Sequence, residues 1–210
     1  MPGERPGPAG GKRDKNRRAR TEGLLLAAEQ LFLERGIGDV SIDDITQAAG
    51  VAKGSFYRYF LSKEALVRAL LAPTRERVVS AFEKAEEQLR EGEDKDDAGR
   101  AYLRLGRELM IVLMGSPGIT RLYLQESRAP AVNAQVPVRE LEGEVAALAL
   151  RVTEAAFSRG LIQQTHPQIS TLAVIGAAER LLIAHLDGAL EVQPARAVQE
   201  LVRLVLEGLR

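Results

Sequence analysis

The feature that most constrains the fold is residues 41–60, where two helical segments and a glycine turn occupy twenty positions. In the first segment, "VSIDDITQAAG", the helix is predicted to begin after Ser41, which is an effective N-cap. Asp44 lies three residues after Ser41, as in a capping box. Gly50 can adopt the left-handed backbone that ends such a helix. A second segment follows over roughly residues 52–59. Two short helices joined by a tight turn form a helix-turn-helix, whose second helix enters the major groove of DNA.

The second segment interleaves aromatic rings with cations in a chain that has no Trp and only 4% aromatic residues. In "VAKGSFYRYFLSKEAL", Phe56 and Phe60 are four residues apart and are predicted to face a small core. The polar side chains between them are free to face phosphates and base edges, and Gly54 would allow a closer approach to DNA. An ordinary amphipathic helix pair with a solvated basic face is the alternative. The predicted DNA-binding residues are Ser41, Lys53, Gly54, Ser55, Tyr57, Arg58, Tyr59 and Lys63.

The segment "LLLAAEQLFLERGIGDVSIDDITQAAGVAKGSFYRYFLSKEALVRALL", from Leu24 to Leu71, resembles the DNA-binding domain of TetR-family transcriptional regulators. This resemblance implies an all-helical homodimer whose C-terminal part binds a small ligand and forms the dimer interface. The sequence departs from the family pattern at two positions. Ala52 replaces the Ser or Thr that commonly caps the recognition helix, and Thr46 replaces a small apolar residue.

Charge is unevenly distributed along the chain, although the formal net charge is zero. Residues 1–20 contain seven Lys and Arg against two acidic residues, which gives +5 and leaves −5 for the remainder. A basic arm on a mildly acidic body points to a polyanionic partner at one end, and a soluble tail without such a partner is the alternative. With their Pro and Gly, residues 1–16 are predicted to be flexible.

Gly and Pro divide the rest of the chain into segments of helical length, and no segment shows the alternation typical of a strand. Pro73 interrupts a helical pattern and is predicted to kink or restart the helix, and "EGEDKDDAG" is predicted to be a charged loop. The predicted fold class is all-α. Its predicted parts are a flexible basic arm at 1–19, a helix-turn-helix DNA-binding domain at 20–72 and a ligand-binding and dimerisation domain at 73–210.

A ligand pocket is predicted between the helix that restarts near Pro73 and a long helix that ends near Gly160. Flexible thioethers four residues apart suit an adaptable cavity, and a Gly-Ser-Pro break follows them, where a mouth could open. Polar groups beside apolar ones complete the mixture expected of a ligand pocket, although a Met-Leu stripe is also typical of ordinary core. The predicted pocket residues are Met110, Leu113, Met114, Leu122, Tyr123 and Glu126.

The dimer interface is predicted on the last two helices, which begin at Pro167 and Pro194. A two-fold operator needs two recognition helices about 34–36 Å apart, which one chain cannot present. The alternative is that the apolar stripes of these helices pack only within one protomer. The predicted interface residues are Leu172, Ile175, Leu182, Leu186, Leu201, Leu204 and Val205.

The sequence carries no nucleophile elbow, phosphate loop or His-Glu metal motif, so the protein is predicted not to be an enzyme and to need no metal or cofactor. Its two histidines, His166 and His185, are interpreted as satisfied structural residues. No membrane segment is predicted, and a cytoplasmic location is expected. The predicted function is a ligand-responsive transcriptional regulator, a homodimeric repressor released from a palindromic double-stranded DNA operator by a small apolar effector. The alternative is a constitutive or architectural DNA-binding protein without an effector.

Overall fold

The computed structural model describes residues 11–130, 132–162 and 166–207, and every regular element within these ranges is helical. A 3₁₀ turn at Asn133–Gln135 precedes the seventh of nine α-helices found in these ranges. In chain order the helices are α1 (Lys12–Asp39), α2 (Ile42–Ala48), α3 (Lys53–Phe56), α4 (Lys63–Glu91), α5 (Lys95–Met114), α6 (Pro117–Glu126), α7 (Val136–Ser158), α8 (Pro167–Leu186) and α9 (Pro194–Glu207). The prediction of an all-α fold is confirmed.

The helix-turn-helix is formed by α2 and α3. The predicted capping box is present, because the Ser41 hydroxyl accepts a hydrogen bond from the Asp44 backbone N–H at 3.1 Å and the Asp44 carboxylate accepts one from the Ser41 N–H at 2.8 Å. Gly50 has the predicted positive φ of 64°. Helix α3 is only four residues long, shorter than predicted, since the chain turns at Tyr57. Its N-cap is Ala52, whose side chain makes no capping bond.

Helix α1 begins earlier than predicted. It starts at Lys12, so residues 12–19 are helical and the predicted arm is wrong over that part, while residues 1–10 lie outside the described residues. Lys, Arg and Ala are good helix formers, and Arg18 pairs with Asp14 one turn before it at 3.1 Å. The regular helix is interrupted at Gly36, where φ is 82° and ψ is 157°.

Helix α4 does not restart at Pro73, which corrects the sequence prediction. It runs from Lys63 to Glu91 with the proline inside it. A proline inside a helix costs about 3 kcal/mol, and burial on both sides offsets that cost here. Before Pro73, Leu70 and Leu71 belong to the core of the N-terminal helices, and after it Val78 belongs to the C-terminal core. One continuous helix therefore joins the two halves of the molecule.

Side-chain caps start both α4 and α5. Ser62 caps α4, with its hydroxyl accepting a hydrogen bond from the Ala65 N–H at 3.1 Å. Leu61, just before this cap, is 87% exposed and therefore forms no hydrophobic staple with the helix. Further on, Asp94 caps α5 through the Asp97 N–H at 2.9 Å. Residues 95–99 are therefore helical, and only the first part of the predicted charged loop is irregular.

Two apolar cores occupy the two halves of the molecule. The N-terminal core is built on α1–α4, and α6 and the start of α7 also contribute to it. The C-terminal core lies between α4, α5 and α7. Helices α8 and α9 pack outside this core, and Thr171 is the single buried residue of α8. By length and composition alone, α8 could cross a membrane, yet it packs against α7 and α9 in a bundle of helices.

Candidate DNA-binding surface and effector cavity

The segment around α3 presents most of the predicted DNA-binding side chains on one surface. Phe56 is fully buried and Phe60 is 7% exposed, which confirms that these two rings face the core. Tyr57 is 53% exposed, and its ring stands edge-on to Phe56 with the centroids 5.5 Å apart. Buried rings therefore fix the position of the exposed side chains. Around them, Lys53, Gly54 and Arg58 are exposed and Ser55 and Tyr59 are half-buried.

Lys53 is held by an ion pair that water can readily replace. Its Nζ lies 2.7 Å from the Asp43 carboxylate, and both side chains are about 60% exposed. The hydrogen bond to Asp43 raises the pKa of Lys53, so the side chain is charged at neutral pH. Exposed pairs of this kind contribute little stability and are screened by salt. Lys53 can therefore exchange Asp43 for a phosphate without a large loss.

The structure uses Ser41 as a helix cap, whereas Gly54 borders open space. The Ser41 hydroxyl accepts a hydrogen bond from the Asp44 backbone N–H and donates one to the Asp44 carboxylate at 2.6 Å. The hydroxyl is therefore fully used as a helix cap. Gly54 has no positive φ, and a Cβ built on it would meet nothing within 4 Å. The protein itself therefore imposes no need for glycine at this position.

Lys63 occupies a structural position that the sequence interpretation missed. Its Nζ donates to the backbone carbonyls of Ile37 at 2.7 Å and Val40 at 2.6 Å, with that of Gly38 at 3.4 Å. Its burial lowers the pKa of the ammonium group. A lysine that bonds the last carbonyls of a helix caps that helix. The assignment of Lys63 as a phosphate contact is therefore corrected, since its three donors are directed into the protein.

Glu126 links the two halves of the molecule and does not line a pocket, which corrects its prediction. It is 4% exposed, and one carboxylate oxygen accepts the Ile37 N–H at 2.9 Å while the other accepts the Gln135 side-chain amide at 3.0 Å. The backbone turn at Gly36 permits this approach, because a Cβ there would lie 3.2 Å from the carboxylate. The backbone of Ile37 is thus held at both of its polar groups: Glu126 of α6 accepts from its N–H, and Lys63 of α4 donates to its carbonyl.

The C-terminal half contains an apolar cavity of about 290 Å³, partly open to solvent, between α4, α5, α6, α7, α8 and α9. Of the predicted pocket residues, Met110, Leu113, Met114 and Tyr123 line it. Leu122 does not, because it is fully buried in the N-terminal core. A cavity lined by aliphatic and aromatic side chains with a few polar groups is the usual form of a small-molecule site.

The polar groups of the cavity wall differ in whether the protein satisfies them. The Tyr123 hydroxyl donates to Glu179 at 3.4 Å, and burial is the main cause that raises the pKa of this tyrosine. Burial also raises the pKa of Tyr102 to about 12. The His185 Nδ1 is buried and has no hydrogen-bond partner among the described residues. The interpretation of His185 as a satisfied structural residue is therefore wrong.

The residues predicted to form the dimer interface fall into two groups. Leu172 and Leu204 are exposed, at 58% and 46%, and Leu186 is half-buried. The side chains of the other four line the cavity within the protomer, and their part in a dimer interface stays a prediction: Ile175, Leu182, Leu201 and Val205. The periodic stripes on α8 and α9 marked apolar positions correctly, but they combine an inner and an outer face.

Sequence reasoning missed most of the cavity wall, including three side chains with hydrogen-bonding groups: Tyr102, Glu179 and His185. A signal for Tyr102 was present, because it begins an i, i+3, i+7 series with Leu105 and Leu109 that continues the stripe of the predicted pocket. Neither Glu179 nor His185 had such a signal. Their position depends on how α8 is rotated against its neighbours.

A helix-turn-helix with an exposed recognition segment, joined to a helical domain that contains an apolar cavity, defines a two-domain DNA-binding regulator. Residues 24–70 match the family profile described as bacterial regulatory proteins, tetR family. The chain therefore carries the DNA-binding domain of the TetR family of transcriptional regulators.

Similarity to known proteins extends beyond the DNA-binding segment. The chain is 29% identical over 183 residues to the transcriptional regulator EthR of Mycobacterium tuberculosis, covering 86% of this chain and 82% of EthR. A candidate fatty acid metabolism regulator of Clostridium perfringens has a similar fold, with a TM-score of 0.73, 18% identity and coverage of 90% and 98% of the two chains. FadR of Bacillus subtilis in complex with stearoyl-CoA superposes with a TM-score of 0.68, 16% identity and coverage of 90% and 99%.

Proposed function

We propose that this regulator is a homodimeric repressor that a small apolar molecule releases from a palindromic operator. The observation that carries the proposal is the apolar cavity of about 290 Å³ in the C-terminal half. A constitutive DNA-binding protein has no need of such a space, and cores normally pack without voids. We assign residues 20–72 to DNA binding and residues 73–210 to effector binding and dimerisation, with α4 shared between them.

For DNA binding, we propose that the exposed surface of α3 and its following turn enters the major groove. Lys53, Tyr57 and Arg58 carry the polar groups best exposed for this purpose. Phosphate contacts would position the segment, whereas Ser55 and Arg58 would contact base edges. Tyr59 is retained as a neighbouring contact to the DNA backbone, while Ser41 acts by capping α2 and Lys63 by seating the motif.

For dimerisation, we propose that the outer face of α8 and α9 meets the same face of a second copy. Leu172 and Ile169 on α8 and Leu204 on α9 are exposed apolar residues, and a contiguous apolar surface on a regulator marks an interaction site. A two-fold axis would then place two recognition helices on one side of the dimer. The cytoplasm, where the operator DNA lies, is the expected location.

Sedimentation of surface variants tests this interface. We expect Leu172→Arg and Leu204→Arg to give monomers, because a charge at a closed apolar interface leaves an unpaired buried ion. The matched control is Ile111→Arg, which replaces an apolar residue of α5 that is 61% exposed. Dimers that persist in both leucine variants would refute the proposed interface.

The stearoyl-CoA bound to FadR of Bacillus subtilis, whose fold is similar, has a charged head and a long apolar acyl chain, and only the acyl chain supports an effector with a long aliphatic part. The four predicted pocket residues that line the cavity here are apolar or largely apolar: Met110, Leu113, Met114 and Tyr123. We therefore expect the effector to be bound mainly by hydrophobic contact, with one or two hydrogen bonds that fix its orientation.

The direct experiment has two stages. The operator is first recovered by selecting bound DNA from a random pool, and a labelled copy is then titrated with the full chain in the presence of an apolar compound library. Release of the operator by at least one compound supports the proposed repressor. Binding that no compound in the library changes would favour the constitutive alternative.

A further inference from the structure

The cavity is elongated. Its wall on α5 extends from Tyr102 to Met114, and its wall on α8 extends from Ser170 to His185. At 1.5 Å per residue these stretches are about 18 Å and about 22 Å long. A compact, round ligand would contact only part of such a wall. An extended molecule would contact all of it.

Tyr102 and His185 lie toward opposite ends of this cavity. Helices α5 and α9 run antiparallel, because Gly106 approaches Val198 whereas Gly99, seven residues nearer the N-terminus, approaches Leu206. The start of α5 lies beside the end of α7, since a Cβ on Gly92 would meet both Asp97 and Leu161. The start of α8 lies toward the same end of α7, where Thr171 of α8 donates to the Thr153 hydroxyl at 2.9 Å. His185 lies fourteen residues further along α8, about 21 Å from Thr171.

The cavity wall has no cation available for an anionic ligand among its described residues. Arg75 is the single Lys or Arg in that part of the wall, and its guanidinium donates to both carboxylate oxygens of Glu144 at 2.6 and 2.5 Å. The one acid in the same wall, Glu179, is paired with Arg128 at 3.1 Å. Moving an unpaired ion into an apolar site is costly. Both a carboxylate and an ammonium group are therefore disfavoured inside this cavity.

Hydrogen-bonding groups of the wall are left for a ligand at both ends. The His185 Nδ1 is buried and has no hydrogen-bond partner among the described residues. A buried polar group without a partner is unfavourable, and a polar group on a bound molecule removes that penalty. The Tyr102 hydroxyl belongs to a half-buried side chain of the wall and makes no hydrogen bond with any residue that the structure describes, so it can serve as a second anchor point.

From this arrangement we infer that the effector is an uncharged, elongated aliphatic molecule, such as a long-chain alcohol, ester or diol, anchored through hydrogen bonds to Tyr102 and His185. The inference rests on the proposed effector function and narrows it to one ligand class. Charged amphiphiles of the same length are excluded from the cavity by the absence of an unpaired counter-ion in the described wall.

Calorimetric titration of the full-length protein at pH 7.5 tests this with five probes of equal chain length. They are dodecan-1-ol, dodecane-1,12-diol, dodecanoate, dodecylammonium and dodecane. We expect the diol to bind most tightly and the alcohol next, with both charged probes at least about tenfold weaker than the alcohol. Dodecanoate or dodecylammonium binding as tightly as dodecan-1-ol would overturn the inference.

Two variants test the anchors. Tyr102→Phe removes one hydroxyl, and we expect it to weaken binding of dodecan-1-ol about fivefold to tenfold while dodecane binds as before. His185→Leu is expected to abolish the advantage of the diol over the alcohol. Titration of both variants with dodecane shows whether the cavity is still formed in each of them. A folding defect would weaken dodecane binding, whereas a lost hydrogen bond would not. Unchanged alcohol and diol affinities in both variants would overturn the inference.

The failure of this inference can be told apart from the failure of the repressor proposal. If none of the five probes binds but another apolar compound releases the operator, the ligand class is wrong and the proposed function stands. If no compound in the library releases the operator, the proposed function fails as well.

Discussion

The two halves of this regulator are built from similar apolar residues but pack them differently. In the DNA-binding half, Phe32, Ile45 and Phe56 are completely buried within one continuous core. In the C-terminal half, the apolar residues of α5, α8 and α9 surround a cavity of about 290 Å³. A dense core holds a fixed surface against DNA, whereas an incompletely filled one can change when a molecule enters. The contrast indicates which half recognises a fixed shape and which half responds.

Polar groups follow the same contrast. In the DNA-binding half, the Ser41 hydroxyl and the Lys63 ammonium direct their hydrogen bonds to the protein itself. In the cavity, the buried His185 Nδ1 is left without a hydrogen-bond partner among the described residues. Satisfied polar groups specify a single conformation, and unsatisfied ones are a reason to bind a ligand.

The largest expected effect compares one phenylalanine from each core. Phe56→Ala should lower the free energy of unfolding by about 3–5 kcal/mol, because it leaves a new cavity in a dense core. Phe82, which lies in the C-terminal core, also borders the existing cavity. Phe82→Ala should therefore cost less, since fewer contacts surround that ring. Urea denaturation at one fixed protein concentration measures both. Equal losses would contradict the proposed difference in packing.

A pair of lysines separates structural from DNA-contacting roles. Lys63→Met should destabilise the protein by about 1.5–3 kcal/mol, since hydrogen bonds from a charged group to backbone carbonyls are lost. Lys53→Met should leave stability unchanged, because its ion pair is exposed. It should instead lower the slope of log K against log salt for operator binding by about 0.9, the value for one phosphate contact. Stability loss in the Lys53 variant and none in the Lys63 variant would reverse these assignments.

The contact between the halves is tested at Glu126. Glu126→Gln keeps the side-chain volume but weakens the charge-assisted bond to the Ile37 N–H, and should cost about 1 kcal/mol of stability. It should also reduce how strongly a cavity ligand weakens operator binding. Glu140→Gln, at an exposed ion pair with Arg68, is the control. Fluorescence anisotropy of labelled operator measures the response, and an unchanged response would remove Glu126 from the connection.

The smallest expected effect is at Gly54. Gly54→Ala should raise stability slightly, by about 0.5–1 kcal/mol at most, because the added Cβ meets no protein atom and alanine favours a helix. Operator affinity should nevertheless fall if DNA approaches this position closely. A more stable protein with weaker operator binding is the expected outcome of paired melting and anisotropy measurements. Unchanged affinity would show that DNA does not approach Gly54.

How far the sequence predicted the structure differed between the two halves. The capping box at Ser41 and the turn at Gly50 are local signals, because each depends on residues only a few positions apart. Those predictions are confirmed. The continuation of α4 through Pro73 was not predictable in this way, since burial on both sides of the proline comes from residues distant in sequence.

The candidate sites show the same limit. Sequence periodicity identified the apolar positions of α8 and α9 but could not show that Leu182 faces the cavity while Leu204 faces outward. The structural role of Lys63 was likewise not predictable from local sequence, because its carbonyl partners lie more than twenty residues earlier in the chain. Cations near a recognition helix favour a DNA contact until the tertiary structure shows what else lies within reach.

Filling the cavity without a ligand tests the central claim that its occupancy weakens DNA binding. Met110 lines the cavity, and the neighbouring Ile111 is exposed. Met110→Trp should place an indole in the cavity and weaken operator binding by about fivefold to 150-fold, the range of typical allosteric coupling. Ile111→Trp should leave operator affinity unchanged. Because the chain has no other Trp, indole fluorescence reports directly whether each new ring is buried. A folded Met110→Trp variant with a buried indole and the operator affinity of Ile111→Trp would show that occupancy of the cavity does not control DNA binding.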